Sequence, residues 1–353
     1  MRPFTPYPIT PIGNFIGVLL ALLPLFSQIR KLSLAVWGYA IWISLYCFQM
    51  FVNSIVWHDN VDIVAPVWCD IAIKLQIGAS VGTRICTLVI CAQLYRITRL
   101  RGPLRRKIMA YELSMIAGLP VVIMALFIIV QPARFAITEE AGCTPVDYSY
   151  VTYIIYYGPP ILANVVCAIL APLTLRTFIR HRKDINEFLT TDQDLTASKY
   201  GRLMIIACVD TIFNLPLLLA IVIVEILQGP ENSLNYPYIS WKNVHDGLGG
   251  NDPGLSLSSI IQTPASIWGS DSWTIFTVKW NEWVYVLHAI IFFCVFGTTP
   301  EMLSYFRTAF WFIPKRFGYG GRNDISTVES TTSDVAFRSD SNPRADNILA
   351  THQ

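Results

Sequence analysis

Trp68-Cys69-Asp70-Ile71, then Lys74-Leu75, then Gly78-x-x-x-Gly82, then Leu94-Tyr95-Arg96-Ile97: the stretch from residue 68 to residue 97 decides the fold. Its interior is apolar over a length that crosses a bilayer. A hydrocarbon core of roughly 30 Å takes about 20 helical residues at ~1.5 Å each. One end is polar and carries a cysteine, and the other is basic. Two glycines four apart give a small face on which a second helix can lie close. The stretch reads as one crossing of a membrane bundle.

The rest of the chain agrees with that reading. Of its 353 residues, 53% are hydrophobic and 14% charged, whereas soluble domains carry about a quarter charged residues. A net charge of +2 leaves no footprint for nucleic acid. Seven segments are long and apolar enough to cross, at 9–29, 34–57, 68–95, 111–130, 150–178, 203–228 and 282–306. Helices are the expected form, because backbone groups in lipid must be satisfied within their own segment. The expected fold is therefore an all-α integral membrane protein, a seven-transmembrane helix bundle filling residues 1–312. A Ser- and Thr-rich stretch at 313–353 has no apolar periodicity and reads as a disordered tail.

Charge fixes the orientation. Counted as far as Arg322, eighteen basic residues sit in the segments after spans 1, 3, 5 and 7, among them Arg30, Arg96, Arg99, Arg101, Arg202 and Arg307. The opposite side holds four: Arg2, Arg134, Lys242 and Lys279. The positive-inside rule then puts the N-terminus outside and the C-terminus in the cytoplasm. The first apolar run follows four prolines and lacks a small-residue cleavage pattern, so it is taken as span 1 rather than a leader. Of the eight cysteines, six fall inside spans as small packing residues. Cys69 and Cys143 face outside, where a disulfide between them is the economical pairing and two free thiols the alternative. A long outer loop at 229–279, rich in Gly, Pro and Ser, holds Trp241, Trp268 and Trp273. It reads equally as a cap over a ligand entrance or as a surface loop.

Several motifs occur in order: the stretch just quoted, Gln131-x-x-Arg134-Phe135, Gly142-Cys143-x-Pro145, Tyr200-x-Arg202-Leu203-Met204, and Phe292-Phe293-Cys294-Val295-Phe296-Gly297 with Tyr305-Phe306-Arg307. Over about residues 8–312 the chain resembles the fungal mating-pheromone receptors for lipidated, a-factor-type peptides, a separate (class D) group of G-protein-coupled receptors. Gln93 stands where that family often has a basic residue. The resemblance implies a prenylated peptide bound outside, a heterotrimeric G protein activated inside, membrane lipid as surroundings, and no cofactor, metal or enzymatic step. It also implies that Arg96, Arg99, Arg101, Arg202 and Arg307 face the G protein, and that the Ser/Thr tail is a phosphorylation platform.

Ionisable groups in lipid are costly, roughly 2.5–3.5 kcal/mol each on insertion scales, so each is a functional candidate. Lys74 lies about 9 Å along its helix from Trp68, at a depth like that of Glu225 and Glu282. A Lys74–carboxylate pair would line a ligand cavity; a permanent tether or a snorkelling lysine is the alternative. His288 lies deeper, as a ligand donor or a satisfied core histidine. Arg84 and Asp210 fall at comparable depth in the cytoplasmic half, and their pairing would form a switch between spans 3 and 6. Pro216, midway along span 6, is the candidate hinge. Gly13-x-x-x-Gly17 repeats the close-packing pattern in span 1. A seven-helix transporter or channel is the competing class, but neither repeated halves nor a charged pore face is present in the sequence.

Overall fold

A computed structural model describes residues 5–26, 33–100, 106–180, 197–299, 302, 303 and 307. The chain divides into two units at Phe306, and the fold below is that of the first. The tail expected at 313–353 lies outside the described residues.

The unit is mostly helical. α1 spans Ile9–Leu22, α2 Leu34–Val56 and α3 Pro66–Leu100. α4 (Arg106–Leu113) passes through a π turn at Ser114–Gly118 into α5 (Leu119–Leu126). Strands β1 (Phe135–Thr138) and β2 (Gly142–Thr144) follow. A second π turn at Tyr153–Tyr157 leads into α6 (Gly158–Arg180), and then comes α7 (Ala197–Leu227). The next connection holds α8 (Trp241–His245), β3 (Ile260–Thr263) and α9 (Ala265–Trp268) before α10 (Ser272–Phe296). Among the described residues, six helical stretches are long and apolar enough to cross a membrane, and Ile9–Leu25 is a shorter apolar helix.

Several expected span limits change, those of the last span by ten residues at each end. The first span departs from α geometry after Leu22 and continues as a 3₁₀ turn, Leu23–Phe26. Pro24 explains this, since its nitrogen has no hydrogen to donate and its ring crowds the preceding turn. The last span starts at Ser272, ten residues before the expected 282. Its first turns mix Thr, Lys and Trp, so hydropathy alone reads them as loop. Asp271 caps them, accepting from the Thr274 amide at 2.8 Å. The span ends at Phe296 with Gly297 as its cap.

The loop at 229–279 is structured as well. Its β3 pairs in parallel with β1, and β1 pairs antiparallel with β2, giving the order β2-β1-β3. Ile137 lies opposite Cys143, and Phe135 opposite Ile260. Phe135, Ile137, Trp57 and Ile73 are buried there in a small core of their own. The main core lies between α2, α3, α7 and α10, around Ile43, Met50, Ile90, Leu94 and Phe292.

Small residues let the helices approach. A Cβ on Gly82 would stand 2.4 Å from Trp42 Nε1, and one on Gly78 would stand 2.9 Å from the same indole. The glycine face of α3 is thus the seat of an α2 tryptophan. That indole donates to Ile116 O at 3.2 Å. Ile116 lies four residues before Pro120, which has no N–H to offer its turn. One tryptophan therefore fills the glycine notch and satisfies a carbonyl that the proline turn leaves short of a donor. Gly13 and Gly17 receive Trp283 and Cys47 in the same manner.

Candidate functional site

At the sheet end, three links clasp α3 to the chain that follows α5. Cys69 and Cys143 form a disulfide with Cα atoms 5.2 Å apart. Arg134 holds Asp70 through two bonds, Nε–Oδ1 at 2.9 Å and Nη2–Oδ2 at 2.5 Å. Lys74 Nζ donates to Gln131 Oε1 at 3.2 Å. Asn53 of α2 completes the clasp: Trp68 Nε1 donates to its Oδ1 at 2.9 Å, and its amide donates to Ala141 O and Cys143 O. Gly142 turns beside it with φ +74°, where an added Cβ would lie 2.6 Å from the Asn53 side chain. Position 142 therefore admits only glycine, for want of space as well as for its backbone conformation.

The clasp corrects the reading of Lys74. It pairs with neither Glu225 nor Glu282, because its ammonium turns toward the chain just after α5, 5.8 Å above the Phe127 ring. Glu282 instead accepts from Lys279 at 2.7 Å, and Lys279 also reaches Glu140 at 2.5 Å. Thr10 of α1 donates to Glu282 Oε2 at 3.4 Å. Lys279 stands in the second turn of α10, in a stretch that hydropathy alone reads as loop.

A cavity of about 290 Å³ opens in the bundle beneath the β2–α6 connection. α2, α3, α6, α7 and α10 all contribute to its wall. Its polar lining includes Gln76, Arg84, Tyr156, Asp147 and Glu225, and Leu217, Leu218 and Ile221 of α7 make an apolar side. Tyr46 and Tyr285 stack with centroids 3.7 Å apart and both line it. Glu225 is bonded to the Asn232 amide. Burial, with Glu225 beside it, pushes the half-buried Asp147 carboxyl up to about 7. Of the four residues expected to bind ligand, Glu225 alone lines this cavity. The sequence reading misses the tyrosines and Asp147: Tyr46, Tyr156 and Tyr285 are uncharged residues inside expected spans, and Asp147 falls in a loop outside them.

Arg84 and Asp210 come together, though not directly. Arg84 Nη2 donates to Asn214 Oδ1 at 2.8 Å, and Asn214 Nδ2 donates to Asp210 Oδ1 at 2.9 Å. The guanidinium is also engaged by Thr83 and the Tyr285 hydroxyl. Tyr39 and Thr87 donate to the Asp210 carboxylate at 3.1 and 3.0 Å. Asn214, one turn from Asp210 on α7, occupies the position the direct pair would need. His288 adjoins the network, its Nε2 3.3 Å from Asn214 Nδ2 and its Nδ1 3.9 Å from Asp210 Oδ1. Pro216 sits within an unbroken α7, two residues beyond this bridge.

At the opposite end, Arg96 and Gln93 share one carboxylate. Arg96 Nη2 reaches Glu112 Oε1 at 2.7 Å, and Gln93 Nε2 donates to Glu112 Oε2 at 2.8 Å. Ser33 donates to Gln93 Oε1 at 2.7 Å. The Tyr200 hydroxyl donates to Leu94 O at 3.4 Å, which joins two of the sequence motifs. Arg202 is half-buried and Arg307 exposed. The Arg99 side chain and Arg101 lie outside the described residues.

A family profile described as pheromone A receptor matches residues 9–318. The pheromone B alpha 3 receptor of Schizophyllum commune is 31% identical over 93% of this chain and 51% of its own length. Pheromone receptor 1 of Mycosarcoma maydis is 26% identical over 86% of this chain and 83% of its own. The pheromone a factor receptor of Saccharomyces cerevisiae is 24% identical over 74% and 53% respectively. The chain spans about half the length of the Schizophyllum relatives it matches. No solved structure matches it.

Proposed function

We infer, from the premise that this chain belongs to the pheromone A receptor family, that it is a mating-pheromone receptor of the plasma membrane. It binds a prenylated peptide on the outer side and activates a heterotrimeric G protein on the inner side. It threads the membrane seven times, with the apolar helix Ile9–Leu25 as the first crossing, its N-terminus outside and its C-terminus in the cytoplasm. The imbalance of basic residues supports that sidedness. The observation that carries the reading is the cavity of about 290 Å³, set in the bundle under a disulfide-tied sheet.

The cavity suits a peptide with an apolar end. Asp147 and Glu225 offer acceptors to a cationic or amide group, Arg84 and Gln76 serve a carbonyl, and Leu217, Leu218 and Ile221 meet hydrocarbon. Such a pocket, apolar with a few convergent polar groups, is the usual form of a ligand site. From its wall the polar chain Arg84–Asn214–Asp210 runs on to Tyr39 and His288. A ligand that draws on Arg84 thereby disturbs contacts among α2, α3, α7 and α10. That network is the switch, Pro216 lets α7 pivot beside it, and Arg96, Arg99, Arg101, Arg202 and Arg307 meet the G protein. The tail at 313–353 takes phosphate.

The test is a panel of synthetic peptides made with and without a prenyl group. G-protein activation is read in membranes holding the chain, with solute flux in the same vesicles. Activation by a prenylated member, at concentrations where its unprenylated twin is silent, is the expected result. A prenyl chain adds about 0.8 kcal/mol of apolar transfer per buried CH₂, so the gap between twins is large. Flux without activation would instead identify a transporter.

A further inference from the structure

Between α7 and α10, toward the middle of the bundle, lies a second and narrower feature. It is a slot walled by Ile206, Val209 and Phe213 of α7 and by Leu287 and Ile291 of α10. Trp280 and Val284 line both this slot and the large cavity. The two spaces therefore share a wall of two side chains. The slot's lip faces the surroundings, since Phe213 is 53% and Leu287 38% exposed. Its base is different: Asp210 and His288 line it, and both are buried. The Nδ1 of His288 has no hydrogen-bond partner.

Three properties limit what the slot can take. Its walls are hydrocarbon, so a polar occupant would surrender water without compensation. Its length, from Trp280 to Ile291, is about 16 Å at ~1.5 Å per helical residue, which suits an extended chain rather than a compact group. Its free room in this structure is about 10 Å³, at or below what one water needs. An occupant must part the two helices as it seats.

We propose that this slot receives the lipid chain of the ligand, entering between α7 and α10 from the bilayer while the peptide portion fills the adjoining cavity. The proposal rests on the receptor reading above and adds to it the route of access and the seat of the lipid. It gives the lipid a mechanical role. A chain wedged between α7 and α10 bears on the segment where His288 Nδ1 stands 3.9 Å from Asp210 Oδ1. Parting the helices there changes that unfinished contact and, through Asn214, the hold on Arg84. The peptide portion and the lipid portion thus act on one network from two sides.

The experiment uses the full chain in cell membranes and a farnesyl-cysteine methyl ester bearing a diazirine on its isoprenoid chain. After irradiation, labelled fragments are mapped by mass spectrometry. The expected labels fall on α7 and α10 around Phe213 and Leu287. Filling the slot with Leu287→Trp or Val209→Trp cuts that labelling about tenfold, a loss of ~1.4 kcal/mol in binding. Leu219→Trp, on α7 outside the slot, leaves it within about twofold. Labelling centred on other helices, even labelling of every lipid-facing helix, or equal loss in all three variants overturns the slot. Failure of the receptor reading looks different, because no peptide of the panel then activates a G protein wherever the probe labels.

Discussion

Asp147 is the clearest single-residue lever in the cavity. In the unfolded chain its carboxyl ionises near 3.8, and in the fold it does so near 7, chiefly because it is buried and then because Glu225 is close. Between those values the unfolded chain releases a proton that the folded chain retains. Stability therefore falls as pH rises through that window and levels off above it. Asp147→Asn removes the penalty: the purified protein's melting temperature should be unchanged at pH 4 and higher than the parent's at pH 8. An equal change at both pH values would mean that the carboxyl titrates normally. No sequence signal marked this residue, because its environment is made by α6 and α7 closing over a loop. Lys74, by contrast, stood out as a charge within a span, and its depth was legible. Its partner was not, since the rotation of α3 about its own axis decides whether an ammonium faces the cavity or the Gln131 side.

At the scale of elements, the glycine pair of α3 was legible and its occupant was not. Spacing alone says that some helix lies close there; only the fold shows that Trp42 fills the notch and donates to the carbonyl four residues before Pro120. Gly82→Ala forces that indole away and costs about 1–3 kcal/mol, as overpacking does. Gly201→Ala, where an added Cβ meets nothing within 4 Å, costs nothing and gains up to about 1 kcal/mol of helix preference. Thermal unfolding of the two variants beside the parent checks the contrast. Equal behaviour would show that the notch is loose. The early start of α10 is an element-level miss with a plain cause. A helix that leaves the apolar layer keeps its hydrogen bonds but loses its hydropathy signal, so Thr274, Thr277 and Lys279 read as loop.

For the whole molecule, the clasp between α3 and the sheet ties the two ends of the sequence motifs together. Cys69→Ser opens a loop of 74 residues and should cost about 2–5 kcal/mol, as loss of a native disulfide commonly does. Arg134→Ala should cost much less than that, because that ion pair is more than a third exposed on both sides and solvent screens it. Surface yield and melting temperature of the two variants rank them. If Arg134→Ala proves the more damaging, the disulfide is not the main tie. The motif order along the chain had implied that these segments belong to one site. The structure gives the reason, for Trp68, Cys69, Asp70 and Lys74 all bond to partners between Asn53 and Cys143.

The sequence by itself determined the membrane class, most of the membrane-length helices and the family, and it singled out Cys69 and Cys143 without joining them. Those properties depend on composition and local spacing, and a bilayer imposes them on each segment separately. Only the tertiary structure decided which charges meet. It put Asn214 between Arg84 and Asp210, gave Lys279 rather than Lys74 to Glu282, and made a strand of the long loop. Pairing energies depend on distances of a few ångströms between helices far apart in sequence. The rotation and depth of each helix set those distances, and both come from packing, which no single segment encodes.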